Sequence, residues 1–150
     1  MSIKEHEAAL LVAAFDQWAG EGPSETIDLA GDPLDWPLEE RPVCYVASYY
    51  TANPAQGVAN AAHWAEKLVE AGYLPLVPHF SILFDMLMPQ TPEFWYALDL
   101  GLLARCDFMF VCPDYLTAHS AGVLKEMAFA VEHDIPIMED VVPAVDRYRQ

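Results

Sequence analysis

Val43-Cys44-Tyr45-Val46-Ala47-Ser48 carries no charged side chain and is rich in residues that favour extended backbone, which predicts a buried strand. Outward from it, helical and extended patterns alternate. Gly57–Ala71 has helical spacing, with Val58, Ala61, Ala62, Ala65, Leu68 and Val69 on one side and Gly72 as the cap. Tyr73–Val77 reads as a second strand, halted by Pro78, and residues 79–92 as an irregular apolar loop. Pro92–Arg105 reads as a helix with proline in its first turn. Asp107–Cys112 (DFMFVC) is a third buried strand stopped by Pro113, Ser120–His133 a helix, and Ile135–Met138 a fourth strand. Apolar strands alternating with helices require a parallel sheet covered on both faces. The expected fold is therefore α/β: a Rossmann/flavodoxin-like three-layer sandwich around a small, mostly parallel sheet of four or five strands.

Upstream of this pattern the chain changes character. Residues 3–18 have helical periodicity, with Leu11, Phe15 and Trp18 at i, i+4 and i+7 and Ala8 on the same stripe. Gly20, Gly22 and Pro23 end that helix, and an acidic connector with Pro33 and Pro37 follows to residue 41. The division expected is a helical, acidic arm over residues 1–40 and an α/β domain over 41–150. Leu34 and Trp36 are available to anchor the arm on the domain or on a neighbouring subunit.

The chain has 150 residues, 54% of them hydrophobic and 20% charged, which is enough to build a core and argues against wholesale disorder. Seven Lys and Arg against 23 Asp and Glu give a formal net charge of −16. A nucleic-acid polymer held on a broad basic face is excluded, and docking on anionic lipid is disfavoured. Residues 1–40 contain ten acids and the single base Lys4, so the arm is the more acidic part. No run of 18 apolar residues occurs, and Ala8–Phe15 lacks the flanks of a signal segment. A cytoplasmic protein is expected. Cys44, Cys106 and Cys112 lack CxxC spacing and lie in apolar runs, as buried free thiols do. His63, His119 and His133 have no partners at metal-ligand spacing, so neither a metal nor a cofactor is expected.

In parallel α/β sheets, ligands bind beyond the carboxyl ends of the strands, which directs attention to Ser48–Pro54, Pro78–Asp85 and Pro113–Gly122. The most informative of these leads into His119-Ser120-Ala121-Gly122-Val123-Leu124-Lys125-Glu126. A strand-to-helix junction presents unpaired amide groups and the positive end of the helix dipole, which suits an anion. Ser120 adds a hydroxyl at the cap and Gly122 lets a ligand approach the backbone. Glu126 lies nearly two turns further on. A serine cap followed by an exposed glutamate is also a common structural arrangement, although the apolar run after Glu126 speaks against that reading. Asp99 lies in an apolar helix, Asp107 reads as a structural strand-opener, Tyr45 lies inside the first strand, and His79 follows the second at its ligand-facing end.

Taken together, these segments resemble the nucleoside 2-deoxyribosyltransferase-like superfamily, which includes the 2'-deoxynucleoside 5'-phosphate N-hydrolases. Within it they are most similar to an uncharacterised family of phages and bacteria. The resemblance rests on the first strand Val43–Tyr50, on Gly72 followed by Leu74-Pro75-Leu76-Val77-Pro78-His79, and on Phe94-Trp95 with Leu98-Asp99. It continues with Cys106-Asp107 and Ser120-x-Gly122-x-x-x-Glu126, and it covers about residues 42–138. It implies that Glu126 is a nucleophile toward an anomeric carbon, that Tyr45 orients its carboxylate, and that Asp99 lies at the nucleobase end. Ser120 stands where nucleotide hydrolases of this superfamily hydrogen-bond a 5'-phosphate and where nucleoside transferases have Asp. Gly122, Ser48, Tyr49 and His79 complete the expected substrate-binding set. The resemblance further implies a homodimer or larger homo-oligomer.

The expected function is cleavage or transfer at the N-glycosidic bond of a (deoxy)nucleoside or its 5'-monophosphate. A carboxylate beside the anomeric carbon can capture or stabilise the oxocarbenium-like state of that reaction. The rival is a nucleotide-binding module without chemistry that uses the helix N-terminus at Ser120-Gly122; a third reading is an assembly protein dominated by its arm. Lys125 and Arg105 are the nearest bases in sequence to the proposed site.

Overall fold

A computed structural model describes residues 37–144 together with 9, 10, 12 and 13. The helix expected over 3–18 is thus described only at Ala9, Leu10, Val12 and Ala13, which are helical; the rest of it, and the connector as far as residue 36, lie outside the described residues.

The domain is built on a four-stranded, all-parallel sheet of β1 (Val43–Ala47), β2 (Leu74–Leu76), β3 (Phe108–Val111) and β4 (Ile137–Met138), in the order β2-β1-β3-β4. Its helices are α1 (Pro54–Glu70), α2 (Ile82–Leu87), α3 (Pro92–Leu103), α4 (Tyr115–Ala118) and α5 (Ala121–Glu132), with short 3-10 turns at Leu38–Glu40 and Pro78–Ser81. β1 is central, paired to β2 from Val43↔Leu74 to Tyr45↔Leu76 and to β3 from Cys44↔Phe108 to Ala47↔Val111. Pro75 is tolerated because β2 is an edge strand, whose outer side needs no ladder partner.

The two-residue period of a strand divides the core into two halves. Cys44, Val46, Phe108 and Phe110 face α1, where Ala61, Leu68 and the flanking Trp64 meet them. Tyr45, Ala47, Met109 and Val111 face the opposite side and pack with Leu103 of α3 and Val123 and Ala130 of α5. The three layers of the expected sandwich are therefore α1, the sheet, and α3 with α5. Each fully buried large side chain, such as Phe108 or Leu68 at 0% exposure, contributes roughly 1.5–3 kcal/mol.

Differences from the sequence reading have local causes. α1 begins at Pro54, one turn before Gly57, because Asn53 accepts a capping bond from Gln56 N at 3.2 Å and proline occupies the first turn. Gly57 is instead a point of close approach: a Cβ there would lie 2.1 Å from Tyr49 O. The segment expected to be an irregular loop contains the Pro78–Ser81 turn and α2. α4 was not anticipated; Asp114 caps it, accepting from Leu116 N and Thr117 N. β4 is shorter than the expected Ile135–Met138. The end of α5 turns through Asp134, at φ 56°, and Ile135 N donates to Ala130 O, so those residues close the helix rather than extend the strand. Among the described residues no helix is long and apolar enough to cross a membrane.

Candidate active site between α3 and α5

Tyr45 projects from the middle of β1 into the layer formed by α3 and α5. Asp99 on α3 and Glu126 on α5 reach the same place, where both carboxylates oppose ionisation of the Tyr45 phenol and Asp99 opposes ionisation of Glu126. Each of these side chains has an atom sealed from solvent with no hydrogen-bond partner among the described residues: Tyr45 Oη, Asp99 Oδ1 and Glu126 Oε2. The Tyr45 hydroxyl lies close enough to Glu126 to favour its charged form, yet it closes no well-formed hydrogen bond. An unpaired buried polar atom costs about 1–3 kcal/mol, so three in one spot are a standing deficit that a ligand can remove.

Electrostatics follow from that burial. Desolvation, reinforced by the Asp99 charge and opposed by the Tyr45 hydroxyl, pushes Glu126 up to about 8. Desolvation alone raises Asp99 to about 6. The Tyr45 phenol is held far above its ordinary range by burial and by the two carboxylates. Near neutral pH the two carboxyls together hold one proton, which belongs to the pair rather than to either residue.

Tyr96 joins this group. It lies one helical turn before Asp99 on α3, burial raises its phenol, and the Glu126 carboxylate raises it further. Lys125 Nζ sits 5.6 Å from the centre of the Tyr96 ring, bridging α5 to α3. Sequence reasoning passed over Tyr96; its i−3 spacing from Asp99 was the signal that places it on the same helix face.

Ser120 and Gly122 form the first turn of α5, on the same helix as Glu126. Ser120 is the N-cap, with Oγ accepting from Val123 N at 3.4 Å. That bond leaves the hydroxyl proton available to donate. Gly122 is exposed, and among the described residues a Cβ there would meet only Ser120 Oγ, at 3.8 Å, so none of them requires glycine at this position.

Ser48, Tyr49 and His79 form a second group, bonded to one another's neighbourhood rather than to the carboxyl pair. The buried Ser48 hydroxyl donates to Gly57 O at 3.4 Å and accepts from Asn60 Nδ2 at 3.0 Å, so its hydrogen-bonding capacity holds β1 to α1. Tyr49 is buried; its backbone N–H donates to Thr117 Oγ1, and its carbonyl accepts from His79 Nε2 at 3.0 Å. That bond places the proton of neutral His79 on Nε2, and burial lowers the ring below its usual range. His79 Nδ1 is buried without a partner, and Tyr50 stacks edge-on against the ring, centroids 6.1 Å apart.

The remaining candidates are structural. Asp107 Oδ2 accepts from Val43 N at 2.7 Å, anchoring the start of β1, as its reading as a strand-opener required. Arg105 Nη1 donates to Gly101 O at 2.7 Å on its own helix. Cys44, Cys106 and Cys112 are free and buried, and burial raises all three thiols, Cys106 to about 11. Among the described residues, no group of three or more His, Cys, Asp or Glu is gathered as for a metal ion.

No curated protein and no solved structure matches the chain. A family profile does match it over residues 42–140, and the chain belongs to that family, DUF7768, a domain of unknown function.

Proposed function

We propose that this DUF7768 domain cleaves or transfers at the N-glycosidic bond of a nucleoside or nucleoside 5'-monophosphate. The observation that carries the reading is the convergence of Tyr45 Oη, Asp99 Oδ1 and Glu126 Oε2, each buried without a partner. Bond cleavage at an anomeric carbon calls for one carboxylate and one proton in the same pocket, and a carboxyl pair titrating at about 6 and about 8 carries that complement near neutral pH.

In this reading the proton that rests on Glu126 in the unliganded chain passes to Asp99 as substrate binds, and Glu126, then a carboxylate, attacks the anomeric carbon. The C–N bond breaks with its electron pair going to the base, and the proton held by the pair is delivered from the Asp99 side to the departing nitrogen. Tyr45 donates toward Glu126 and fixes its orientation. Water, or a second base, then attacks the anomeric carbon of the glycosyl ester and releases Glu126. Ser120 and the first-turn amides of α5 suit the 5' end of the sugar.

Product analysis after incubation with a panel of nucleosides and 5'-monophosphates tests the proposal. Wild type is expected to release free base, and Glu126→Gln to lose at least about 10³-fold in rate. Absence of release from every substrate, with and without an acceptor base, would overturn it in favour of a nucleotide-binding module.

A further inference from the structure

The two helical layers differ in what they turn to solvent. α1 exposes His63, Lys67 and Glu70, as an amphipathic surface helix does. α3 does not. Leu100 and Leu103 pack on its sheet side, yet the opposite face carries Phe94, Ala97, Leu98 and Gly101 at helical spacing, with no charge before Arg105. A helix that is apolar all round belongs under cover. α2 enlarges the face. Asp85 Oδ1 accepts from Trp95 Nε1 at 2.6 Å, and the Phe84 and Trp95 rings lie 6.5 Å apart, so α2 is fastened to the start of α3. Phe84 is nevertheless 61% exposed and Leu87 88%. An apolar patch of this extent on a folded chain marks a docking surface.

The chain carries a segment of matching chemistry. The family profile begins at residue 42, so residues 1–41 lie outside the shared domain. They supply the apolar stripe of Ala8, Leu11, Phe15 and Trp18, and the described residues there, Ala9, Leu10, Val12 and Ala13, are helical, with Val12 59% exposed. The point of departure also fits. Val43 N donates to Asp107 Oδ2 at 2.7 Å, so the upstream chain leaves the domain beside the foot of α3. Residues 19–36 separate the stripe from Pro37; at half extension they span about 30 Å, against about 18 Å for the length of α3. Charge agrees with this placement. Residues 1–40 contain ten acids and one base. Arg105 and Lys125 lie on the α3/α5 layer without an ion pair among the described residues, whereas Lys67 on α1 is already paired with Glu70 at 3.4 Å.

We propose that residues 3–18 dock as a helix of the same chain on the outer face of α3 and α2, with Leu11, Phe15 and Trp18 over Phe94 and Leu98. The opposite face of α3 holds Asp99 and Tyr96, so the docked segment braces the carboxyl site from behind. The contact does not depend on the N-glycosidic reading.

Crosslinking of the full-length chain tests it. Phe15→Cys combined with Leu98→Cys is treated with a short bismaleimide; Cys44, Cys106 and Cys112 are buried and do not compete. The double variant is expected to give a link within one chain that neither single variant gives. A link between two chains would place the segment on a second copy, and no link would place it off this face; either result overturns the proposal. Hydrogen exchange reads the same contact without added thiols. Leu11→Asp with Phe15→Asp is expected to quicken exchange of the Phe94–Leu102 amides at least about tenfold and to raise binding of an apolar fluorescent dye, with the α1 amides unchanged. Unchanged exchange, or wild type binding the dye as strongly as the variant, would mean a face left open to another molecule and would overturn the proposal as well.

Discussion

β1 presents alternate residues to two layers that differ in kind. Toward α1 it shows Cys44 and Val46 to an apolar cluster, and two polar side chains bordering that layer are paired: Ser48 with Gly57 and Asn60, and Tyr73 Oη with Val142 O at 2.6 Å. Toward α3 and α5 it shows Tyr45, which shares its surroundings with two carboxyls and finds no partner. One side is satisfied but for His79 Nδ1, and the other gathers three unpaired atoms in one place. Local conflict of this sort, in an otherwise consistent fold, is where function is found, because a ligand supplies what the protein withholds from itself.

The largest effect on stability is expected where the satisfied side is tightest. Gly57→Ala drives a methyl group to 2.1 Å from Tyr49 O, a backbone atom that cannot swing away. A loss of about 3 kcal/mol is expected, seen in thermal denaturation as a fall in Tm of roughly 10 °C. A loss below about 0.5 kcal/mol would mean that α1 and β1 are not locked as the structure has them.

The deficit on the other side has a pH signature. Glu126 is raised to about 8 and Asp99 to about 6, so in this range the folded chain binds more protons than the unfolded one. Their contribution to stability is complete below the ordinary carboxylate range and is lost as pH rises through the folded values. Stability is expected to fall by roughly 2 kcal/mol between about pH 6.5 and pH 8, and Glu126→Gln to flatten most of that slope, measured by urea denaturation at each pH. A slope unchanged in Glu126→Gln would place the titrating groups elsewhere.

The same substitution on opposite faces gives the sharpest contrast. Tyr73 and Tyr45 are both fully buried, but Tyr73 donates its hydroxyl to Val142 O, whereas Tyr45 Oη closes no well-formed hydrogen bond among the described residues. Tyr73→Phe is expected to cost about 1 kcal/mol, whereas Tyr45→Phe is expected to gain about 1 kcal/mol while slowing turnover. Equal signs in the two denaturation curves would erase the distinction between the faces.

How far this was legible in the sequence follows the same division. Uninterrupted apolar runs such as Val43–Ala47 and Phe108–Val111 announce strands buried on both faces, so the parallel sheet could be read directly. α2 could not be: five of its six residues are apolar, with Asp85 the exception, and Ser81 makes no side-chain capping bond, so neither periodicity nor a start signal marks it. Glu126 and Asp99 stood out as acids in apolar helices, but their meeting over Tyr45 depends on how two helices cross one strand, which spacing along a chain does not encode. Gly57 carried no mark of its close approach, because the atom it must clear belongs to Tyr49, on the far side of a turn.

The smallest effect bears on whether the unsatisfied side extends to the helix end. Gly122 lies in the first turn of α5 with open space above it, and glycine within a helix is less stable than alanine. Gly122→Ala is therefore expected to stabilise the unliganded protein by about 0.5 kcal/mol, opposite in sign to Gly57→Ala. If the first-turn amides seat an anion, the added methyl stands in its path, and the thermal shift produced by a nucleoside 5'-monophosphate should shrink even as the baseline rises. The divergence between those two readings carries the argument, since a glycine kept for chain packing would lose stability and a glycine of no consequence would leave the shift intact. A raised baseline with an undiminished shift would confine the ligand to the carboxyl pair and remove the end of α5 from the site.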